Sequence, residues 1–329
     1  MEIKRFLTTE GIPELPENEL IAAENLNMLD QRQAGLFESR MAMIRELGRE
    51  IGKTENAGFD IIRDKYKASL PYDGEPSDYA FSPSPEELLH YFDSISAVEK
   101  IGLCRAISDS FQNTRFLSTL LGWPDDSCKA DAVGRIAYLK NAYTDNAFLR
   151  FSKVVVSPRS EYCSSFRAVC QEVYDGQCEY CILPVETSGD GLLMSFYSLM
   201  DQFSLKIVSL CTLEQTGTGR FTNYALLKKE ISLAYLRSKS LVSSKDSRFE
   251  IKLSIPREDS LGLCHFLQYA ALCGMTVQRI ATAPHISGEQ RISYYIAFGI
   301  YKADLTTFLT YLALETPHYL LMGAYATVL

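Results

Sequence analysis

The stretch LIAAENLNMLDQRQAGLFESRMAMIRELGREIGK, residues 20–53, contains no proline and carries apolar side chains at a helical spacing. At about 1.5 Å per residue, a helix of this length spans roughly 50 Å. In heptad register its seam holds Gln33 and Arg40 among leucines and a methionine. A guanidinium facing a bundle interior needs an anion, either a protein carboxylate or a ligand, unless its side chain reaches solvent. The sequence therefore leaves three interpretations of Arg40 open, namely a contact with a protein carboxylate, a contact with a ligand, or a side chain that reaches solvent.

The composition is that of an ordinary globular protein with room for two or three domains, because 47% of the 329 residues are hydrophobic and 22% are charged. The net charge is −8, and no Lys/Arg cluster with interleaved aromatics occurs, so we expect no nucleic-acid partner. Residues 1–16 do not have the pattern of a signal peptide, and no apolar run reaches the length of a membrane span. We therefore expect a cytoplasmic protein without a membrane partner.

The nine cysteines lie mostly within apolar patterns, as reduced core thiols do in cytosolic proteins. Cys178-x-x-Cys181 is the one spacing that could indicate a metal or redox site. It lies in a predicted buried strand, and neither a second such pair nor a histidine is near it in the sequence. We expect no metal site and no cofactor.

The hydrophobic period divides the chain into three units. Residues 1–124 predict a helical domain of three helices, long, short and long, which occupy residues 20–53, 60–70 and 84–121. Residues 135–230 predict an α/β domain, in which short β-rich runs alternate with helix-like runs. Its strands are predicted at residues 135–139, 153–158, 179–186, 205–214 and 220–229, and its helices at 164–176 and 191–203.

Residues 248–329 predict a third domain with the element order βαββαβ, which is a ferredoxin-like split arrangement with an antiparallel sheet. Its strands are predicted at residues 249–256, 276–284, 292–302 and 318–329, and its helices at 260–274 and 304–315. From the residues alone, we expect an edge strand of this sheet to pair between subunits and form a homodimer.

The order of these three units resembles the bifunctional chorismate mutase–prephenate dehydratase family with its C-terminal ACT domain, in a shortened and divergent form. The resemblance covers residues from about 20 to the end. The strongest local matches are L-D-x-R in the long helix, D-I-I-R-D after it, and I-L-P-V-E-T-S-G-D-G-L-L at residues 182–193. The resemblance implies a role in phenylalanine biosynthesis, with chorismate or prephenate as the substrate.

In the helical unit, the resemblance implies that Arg40 and Arg63 clamp the substrate carboxylates. Asp60 and Asp64 fall on the same motif as Arg63, and Asp64 would orient the carboxylates or accept a substrate hydroxyl. Ser110 falls on a polar contact of the third helix. The isomerase (mutase) reaction is pericyclic, so it needs only positioning and charge stabilisation. Without the resemblance, residues 60–64 also fit an ion-paired helix surface.

Three positions depart from the family's mutase pattern. Ala23 stands where the family has an arginine that reaches the partner subunit, and Ile51 stands where it has a catalytic lysine. Lys53 lies two residues after Ile51, about 200° around the helix. Thr114 stands where the family has a glutamine late in the third helix. The sequence therefore leaves the mutase reaction open, although it favours that reaction over dehydration.

In the α/β unit, Glu186-Thr187-Ser188 stands where prephenate dehydratases, which are lyases, have Glu-Asn-Ser. Gly219-Arg220-Phe221 stands where the same family has Thr-Arg-Phe, and Thr218 lies one position before it. The family's second lobe lies between the strand at 205–213 and this second motif, and one βαβ unit alone needs about 30 residues. Only residues 214–218 are present there, so we expect the second lobe to be absent unless a partner chain supplies it. Residues 188–191 also fit a polar loop that caps the following helix.

In the C-terminal unit, the resemblance implies phenylalanine as a possible effector. Leu261-Gly262-Leu263 stands where the ACT family has Gly-Ala-Leu, and Thr282 and Pro284 lie where it has Glu-Ser-Arg-Pro.

Taken together, these patterns predict a chorismate mutase/prephenate dehydratase-like protein that binds its substrate through Arg40 and Arg63. The alternative is a catalytically inactive regulatory or partner-activating relative that binds a metabolite of the aromatic pathway.

Overall fold

Alternating apolar residues in the second half of the chain form strands that pair into a single sheet. The computed structural model describes residues 17–52, 96–110, 134–214, 217–231, 235–236, 241, 243–257, 259, 262–283, 290–315 and 319–328. Five of the predicted site residues lie outside these ranges, namely Asp60, Arg63, Asp64, Leu261 and Pro284. For Ser110 only the backbone is described, at the end of a helix.

The described residues contain seven helices and ten strands. The helices are α1 Glu17–Gly52, α2 Ala97–Ser110, α3 Ala142–Phe151, α4 Phe166–Tyr174, α5 Met194–Gln202, α6 Gly262–Leu272 and α7 Leu305–Glu315. The strands are β1 Arg135–Leu139, β2 Arg159–Cys163, β3 Tyr180–Thr187, β4 Gly191–Leu192, β5 Lys206–Glu214, β6 Phe221–Lys228, β7 Arg248–Pro256, β8 Thr276–Thr282, β9 Arg291–Gly299 and β10 Tyr319–Val328. None of the described helices is long and apolar enough to cross a membrane.

The strands follow the order β2-β1-β3-β6-β5-β10-β7-β9-β8, with β4 paired to β3. β1 is parallel to both of its neighbours, and β5 is parallel to β10. The last four strands pair antiparallel in the order β10-β7-β9-β8, which is the predicted βαββαβ arrangement. The predicted α/β and C-terminal units therefore share one continuous sheet, joined where β5 meets β10.

The junction between β5 and β10 requires a glycine. Gly323 lies opposite Ile207, and a Cβ atom at this position would be 2.5 Å from the Ile207 carbonyl oxygen and 2.6 Å from the Ile207 Cβ. The strand register shifts immediately after Gly323, as in a β-bulge. The backbones approach so closely that no other residue fits without displacing β5.

One predicted strand is wrong, and α3, β2 and β4 were not predicted. Residues 153–158 are not a strand, because the backbone N–H groups of Val154 and Val155 donate to the Phe151 carbonyl at the end of α3. The β propensity of the valines therefore yields to helix termination. A capping box begins α3, with the Asn141 side chain accepting from the Thr144 N–H and the Thr144 hydroxyl accepting from the Asn141 N–H.

The two N-terminal helices pack onto the C-terminal unit. α1 contacts α2, and α2 in turn contacts α7 and α6. Met41, Ile44 and Leu47 of α1 belong to the same hydrophobic core as the residues around Phe308 of α7. Every described side chain of α1 before Arg40 is exposed, so only the C-terminal part of this helix contributes to the core. The predicted middle helix of the bundle lies outside the described residues.

The crossing of α1 and α2 predicts opposite effects for the same substitution at two glycines of α1. A Cβ at Gly48 would lie 2.5 Å from the Ala106 Cβ and 3.0 Å from the Leu103 carbonyl oxygen, whereas a Cβ at Gly35 would contact nothing. We expect Gly48→Ala to lower the free energy of unfolding by about 1–3 kcal/mol through overpacking. Gly35→Ala should raise it by up to about 1 kcal/mol through helix propensity. Urea denaturation measures both, and equal effects would contradict this crossing.

Candidate functional site

The two dehydratase-like motifs meet at one end of the sheet. In the antiparallel β3–β6 pair, Glu186 lies opposite Asn223 and Thr187 lies opposite Thr222. Beyond the strand ends, the Ser188 N–H donates to the Phe221 carbonyl oxygen at 3.0 Å. The Phe221 N–H donates to Ser188 Oγ at 3.1 Å. The structure thus brings together segments that lie about 30 residues apart in the sequence.

This end of the sheet presents polar groups to solvent. The Thr187 hydroxyl donates to the Asp190 carboxylate and accepts from the Asp190 N–H, both at 3.0 Å. The Arg220 N–H donates to Thr218 Oγ1 at 3.3 Å, and the side chains of Ser188, Thr218 and Arg220 are exposed. The arrangement offers hydroxyl groups and a guanidinium to a ligand approaching from solvent. Residues 188–191 do not cap α5 through a side chain, because its N-cap residue, Leu193, makes no side-chain cap bond.

Glu186 points away from this surface into a network of hydrogen bonds. Its Oε2 atom accepts from Asn223 Nδ2 at 3.0 Å and from Arg279 Nη1 at 3.0 Å. The Thr212 hydroxyl donates to Asn223 Oδ1 at 2.7 Å, which fixes the orientation of the amide. The carboxylate is therefore held between β6 and a residue of β8.

Arg279 also neutralises a second carboxylate, that of Glu250 on β7, which is 0% exposed. Arg279 Nη2 lies 2.9 Å from Glu250 Oε1 and 3.1 Å from the Tyr197 hydroxyl oxygen. The Tyr197 hydroxyl donates to Glu250 Oε1 at 2.8 Å, and the Tyr325 hydroxyl donates to Oε2 at 2.7 Å. Both oxygens of this buried carboxylate have partners, as burial of a charge requires.

The contact between Arg279 and Glu186 shows that the sheet curls back on itself. β3 and β8 are separated by six inter-strand steps, which in a flat sheet would be about 29 Å. A guanidinium and a carboxylate 3.0 Å apart exclude a flat sheet. α5 lies in the concavity, where Tyr197 packs edge-on against Tyr295 of β9.

The electrostatics keep this network in one protonation state. Burial, together with the Glu250 carboxylate, raises the pKa of Tyr197 and of Tyr325 well above its usual value. Burial alone would lower the pKa of Arg279, but Glu250 and its other neighbours outweigh it and raise that pKa. Arg279 therefore stays charged and both tyrosines stay protonated.

In the mutase-like region, the anion that Arg40 faces is a protein carboxylate. Arg40 forms an ion pair with Glu99 of α2, and both side chains are largely buried. The Ser96 N–H and hydroxyl donate to Glu99 Oε2 at 2.8 and 2.7 Å, which makes Glu99 part of a capping box at the start of α2. A ligand carboxylate at Arg40 would have to compete with Glu99.

The structure describes three of the effector-like residues. Gly262 begins α6, Leu263 is half-buried in that helix, and Thr282 is exposed at the end of β8. Cys178 and Cys181 are free thiols, and burial raises the pKa of Cys178 to about 11. Within the described ranges, no three His, Cys, Asp or Glu side chains are placed to hold a metal ion.

The sequence analysis missed Arg279, Glu250, Tyr197 and Asn223. A usable signal was present for two of them, because Glu250 and Arg279 are charged residues inside apolar strand patterns, at positions where burial requires a partner. The identity of each partner could not be read from the sequence.

The buried network predicts a large loss of stability when its cation is removed. Arg279→Met leaves Glu250 buried without a counter-charge, so we expect the free energy of unfolding to fall by about 3–5 kcal/mol. Adding Glu250→Gln should recover part of the loss, because the uncompensated charge is gone. The matched control Arg257→Gln, at an exposed turn, should change stability by less than about 0.5 kcal/mol. A loss below about 1 kcal/mol in urea denaturation of Arg279→Met would contradict the network.

Comparison with known proteins places Glu186, Thr187 and Ser188 within a family match, whereas Thr218, Arg220 and Phe221 lie outside it. Residues 136–214, about a quarter of the chain, match the family model of prephenate dehydratase. No curated protein matches the chain. A prephenate dehydratase structure from Streptococcus mutans is 19% identical with a TM-score of 0.46, covering 59% of this chain and 99% of that chain.

Two further solved structures have a similar degree of likeness. The prephenate dehydratase from Arthrobacter aurescens in complex with L-Phe is 12% identical with a TM-score of 0.45, covering 58% of this chain and 90% of that chain. GqqA, described as a novel type of quorum-quenching acylase, is 16% identical with a TM-score of 0.45, covering 59% of this chain and 96% of that chain. Likeness at this level does not by itself indicate a shared activity. The segment that contains β1 to β5 is prephenate dehydratase-like, and the family match ends at Glu214, the last residue of β5.

Proposed function

We propose that this chain is a prephenate dehydratase-like protein of phenylalanine biosynthesis that binds a carboxylate of that pathway but does not dehydrate it alone. The observation that carries this proposal is the pair of hydrogen bonds between Ser188 and Phe221, which joins the two motif segments at one open end of the sheet. The family match over residues 136–214 supports the substrate class.

Arg220 is the residue best suited to bind the ligand. Its side chain is exposed beside the hydroxyls of Ser188 and Thr218, and a guanidinium binds a carboxylate through two parallel hydrogen bonds. The net charge of the chain is −8, so the attraction for an anionic substrate has to be local. Prephenate, a dicarboxylate, has a group that Arg220 can bind.

Two features argue against dehydration by one chain. Loss of water and CO₂ requires a proton donor to the leaving hydroxyl and a closed pocket. The Glu186 Oε2 atom already accepts from Asn223 and Arg279, which commits it to the interior of the sheet. β5 ends at Glu214 and β6 begins at Phe221 as its antiparallel neighbour, so the connection is far shorter than the roughly 30 residues of a βαβ unit.

A second copy or another chain would therefore have to complete the cleft. Homodimer formation through a sheet edge is the simplest route, because β8 is an edge strand with Val277 and Ile280 exposed. In this proposal the chain is a binding or partner-activating relative, and phenylalanine is the candidate effector of the C-terminal unit.

The test is calorimetric titration of prephenate into the full chain. We expect saturable binding to the wild type, and affinity at least about tenfold weaker in Arg220→Gln, because one charge-assisted pair is lost. The matched control Arg159→Gln, on the edge strand β2, should bind as the wild type does. Equal affinity in Arg220→Gln and wild type would overturn the site, and phenylpyruvate formation at usual enzyme rates would overturn the absence of turnover.

The chorismate mutase function that the sequence left open would rest on Arg40 in α1 together with Asp60, Arg63, Asp64 and Ser110. The Glu99 carboxylate forms an ion pair with the Arg40 guanidinium. We therefore expect chorismate to be consumed no faster with the purified protein than in the uncatalysed reaction. Arg40→Ala should instead lower stability, because it leaves Glu99 buried without its partner. Turnover of about 1–10³ s⁻¹ that is lost in Arg40→Ala would establish the mutase site.

A further inference from the structure

A cavity of about 280 Å³ opens on the sheet face that also carries Glu250 and contacts α5. It is lined by Lys252 and Ser254 of β7, Arg291 of β9, and Tyr319 and Leu320 of β10. The neighbouring residues Ile251, Leu253 and Ile255 of β7 belong to the core beneath α6 and α7. Because side chains alternate along a strand, Lys252 and Ser254 point to the opposite face. The cavity is therefore distinct from the effector-like residues Gly262, Leu263 and Thr282.

Arg291 lacks an anionic partner within the described part of the chain. Its Nη2 atom donates to the Ser254 carbonyl oxygen at 2.7 Å. Its Nε atom is buried and has no acceptor among the described residues. A buried donor without a partner costs free energy unless a ligand or water satisfies it. The guanidinium is the group in this cavity that a ligand would satisfy.

The charges of the cavity add up to one uncompensated positive charge. The Lys252 ammonium is paired with the Asp201 carboxylate of α5 and lies 5.9 Å from the centre of the Tyr295 ring. Asp201 therefore balances Lys252, whereas Arg291 adds a charge that nothing described in the cavity balances. This balance suits a ligand with a single negative charge.

The remaining walls suit an apolar body. Leu320 is partly buried and packs against the hydrophobic cluster around Tyr197, and the methylene chain of Lys252 adds further apolar surface. Tyr319 lines the cavity from the preceding position of β10, but its ring packs against the core beneath α6 and α7. At about 280 Å³, the volume lies just below the range of about 300–1,000 Å³ that small-molecule pockets span. A ligand of this site is therefore small.

We propose that this cavity is a second ligand site, which binds a small monocarboxylic acid with an apolar or aromatic body. Arg291 binds the carboxylate, and Leu320 and the methylene chain of Lys252 contact the apolar part. The site is separate from the Arg220 end of the sheet and does not depend on the function proposed there.

The experiment compares 3-phenylpropionate with its neutral isostere 3-phenylpropionamide, titrated calorimetrically into the full chain. We expect saturable binding of one carboxylate per chain, and at least about tenfold weaker binding of the amide, since only the carboxylate forms a charge-assisted pair. Arg291→Gln should weaken carboxylate binding by a similar factor. Arg257→Gln removes the same charge one residue beyond β7 without lining the cavity and should leave binding unchanged. Equal affinity for acid and amide, or for wild type and Arg291→Gln, would overturn the proposal.

A second variant covers the case in which Arg291→Gln does not fold. Leu320→Trp fills the cavity without changing its charge, so it should also abolish binding, and retained binding would overturn the site. Arg220→Gln separates the two ligand sites, because it should weaken prephenate binding and leave 3-phenylpropionate binding intact. Loss of both in Arg220→Gln would mean that the carboxylate binds at the motif end and not in this cavity.

Discussion

The buried carboxylate of Glu250 imposes the constraint to which the rest of the sheet conforms. A charge with no exposure to water needs a cation and hydrogen-bond donors, and Arg279, Tyr197 and Tyr325 supply them from β8, α5 and β10. For Arg279 to contact both Glu250 and Glu186, the sheet has to curl until its last strand faces β3. The helix α5 fills the space that this curl creates.

The same guanidinium changes the role of the dehydratase-like motif. Glu186 is the acidic residue of that motif, yet in this chain its carboxylate joins β3 to β6 and β8. The polar groups that remain accessible are those of Ser188, Thr218 and Arg220, which suit binding better than proton transfer. A six-residue connection between β5 and β6 agrees with this change, because it leaves no room for a second lobe.

In the N-terminal helices, the role of Arg40 depends on a residue of the neighbouring helix. The sequence left open whether Arg40 faces a protein carboxylate, a ligand or solvent, and in the structure it pairs with the Glu99 carboxylate, which also caps α2. Met41, Ile44 and Leu47 join the core of the C-terminal unit, so these helices extend that core. At Gly48 and at Gly323, neighbouring elements approach too closely for a Cβ atom.

The sequence by itself determined most of the strands and helices after residue 134, because hydrophobic period and capping residues are local properties. It failed at residues 153–158, where helix termination uses the backbone donors that a strand would need. That the two motif segments meet is seen in the β3–β6 register and not in the sequence pattern. Only the tertiary structure decided that Arg279 pairs with Glu186, 93 residues away, and that Arg291 lines a cavity. The physical reason is that a charged residue within an apolar strand pattern indicates a buried charge that requires a partner. Which residue becomes that partner depends on the curl of the sheet, which is not a local property of the sequence.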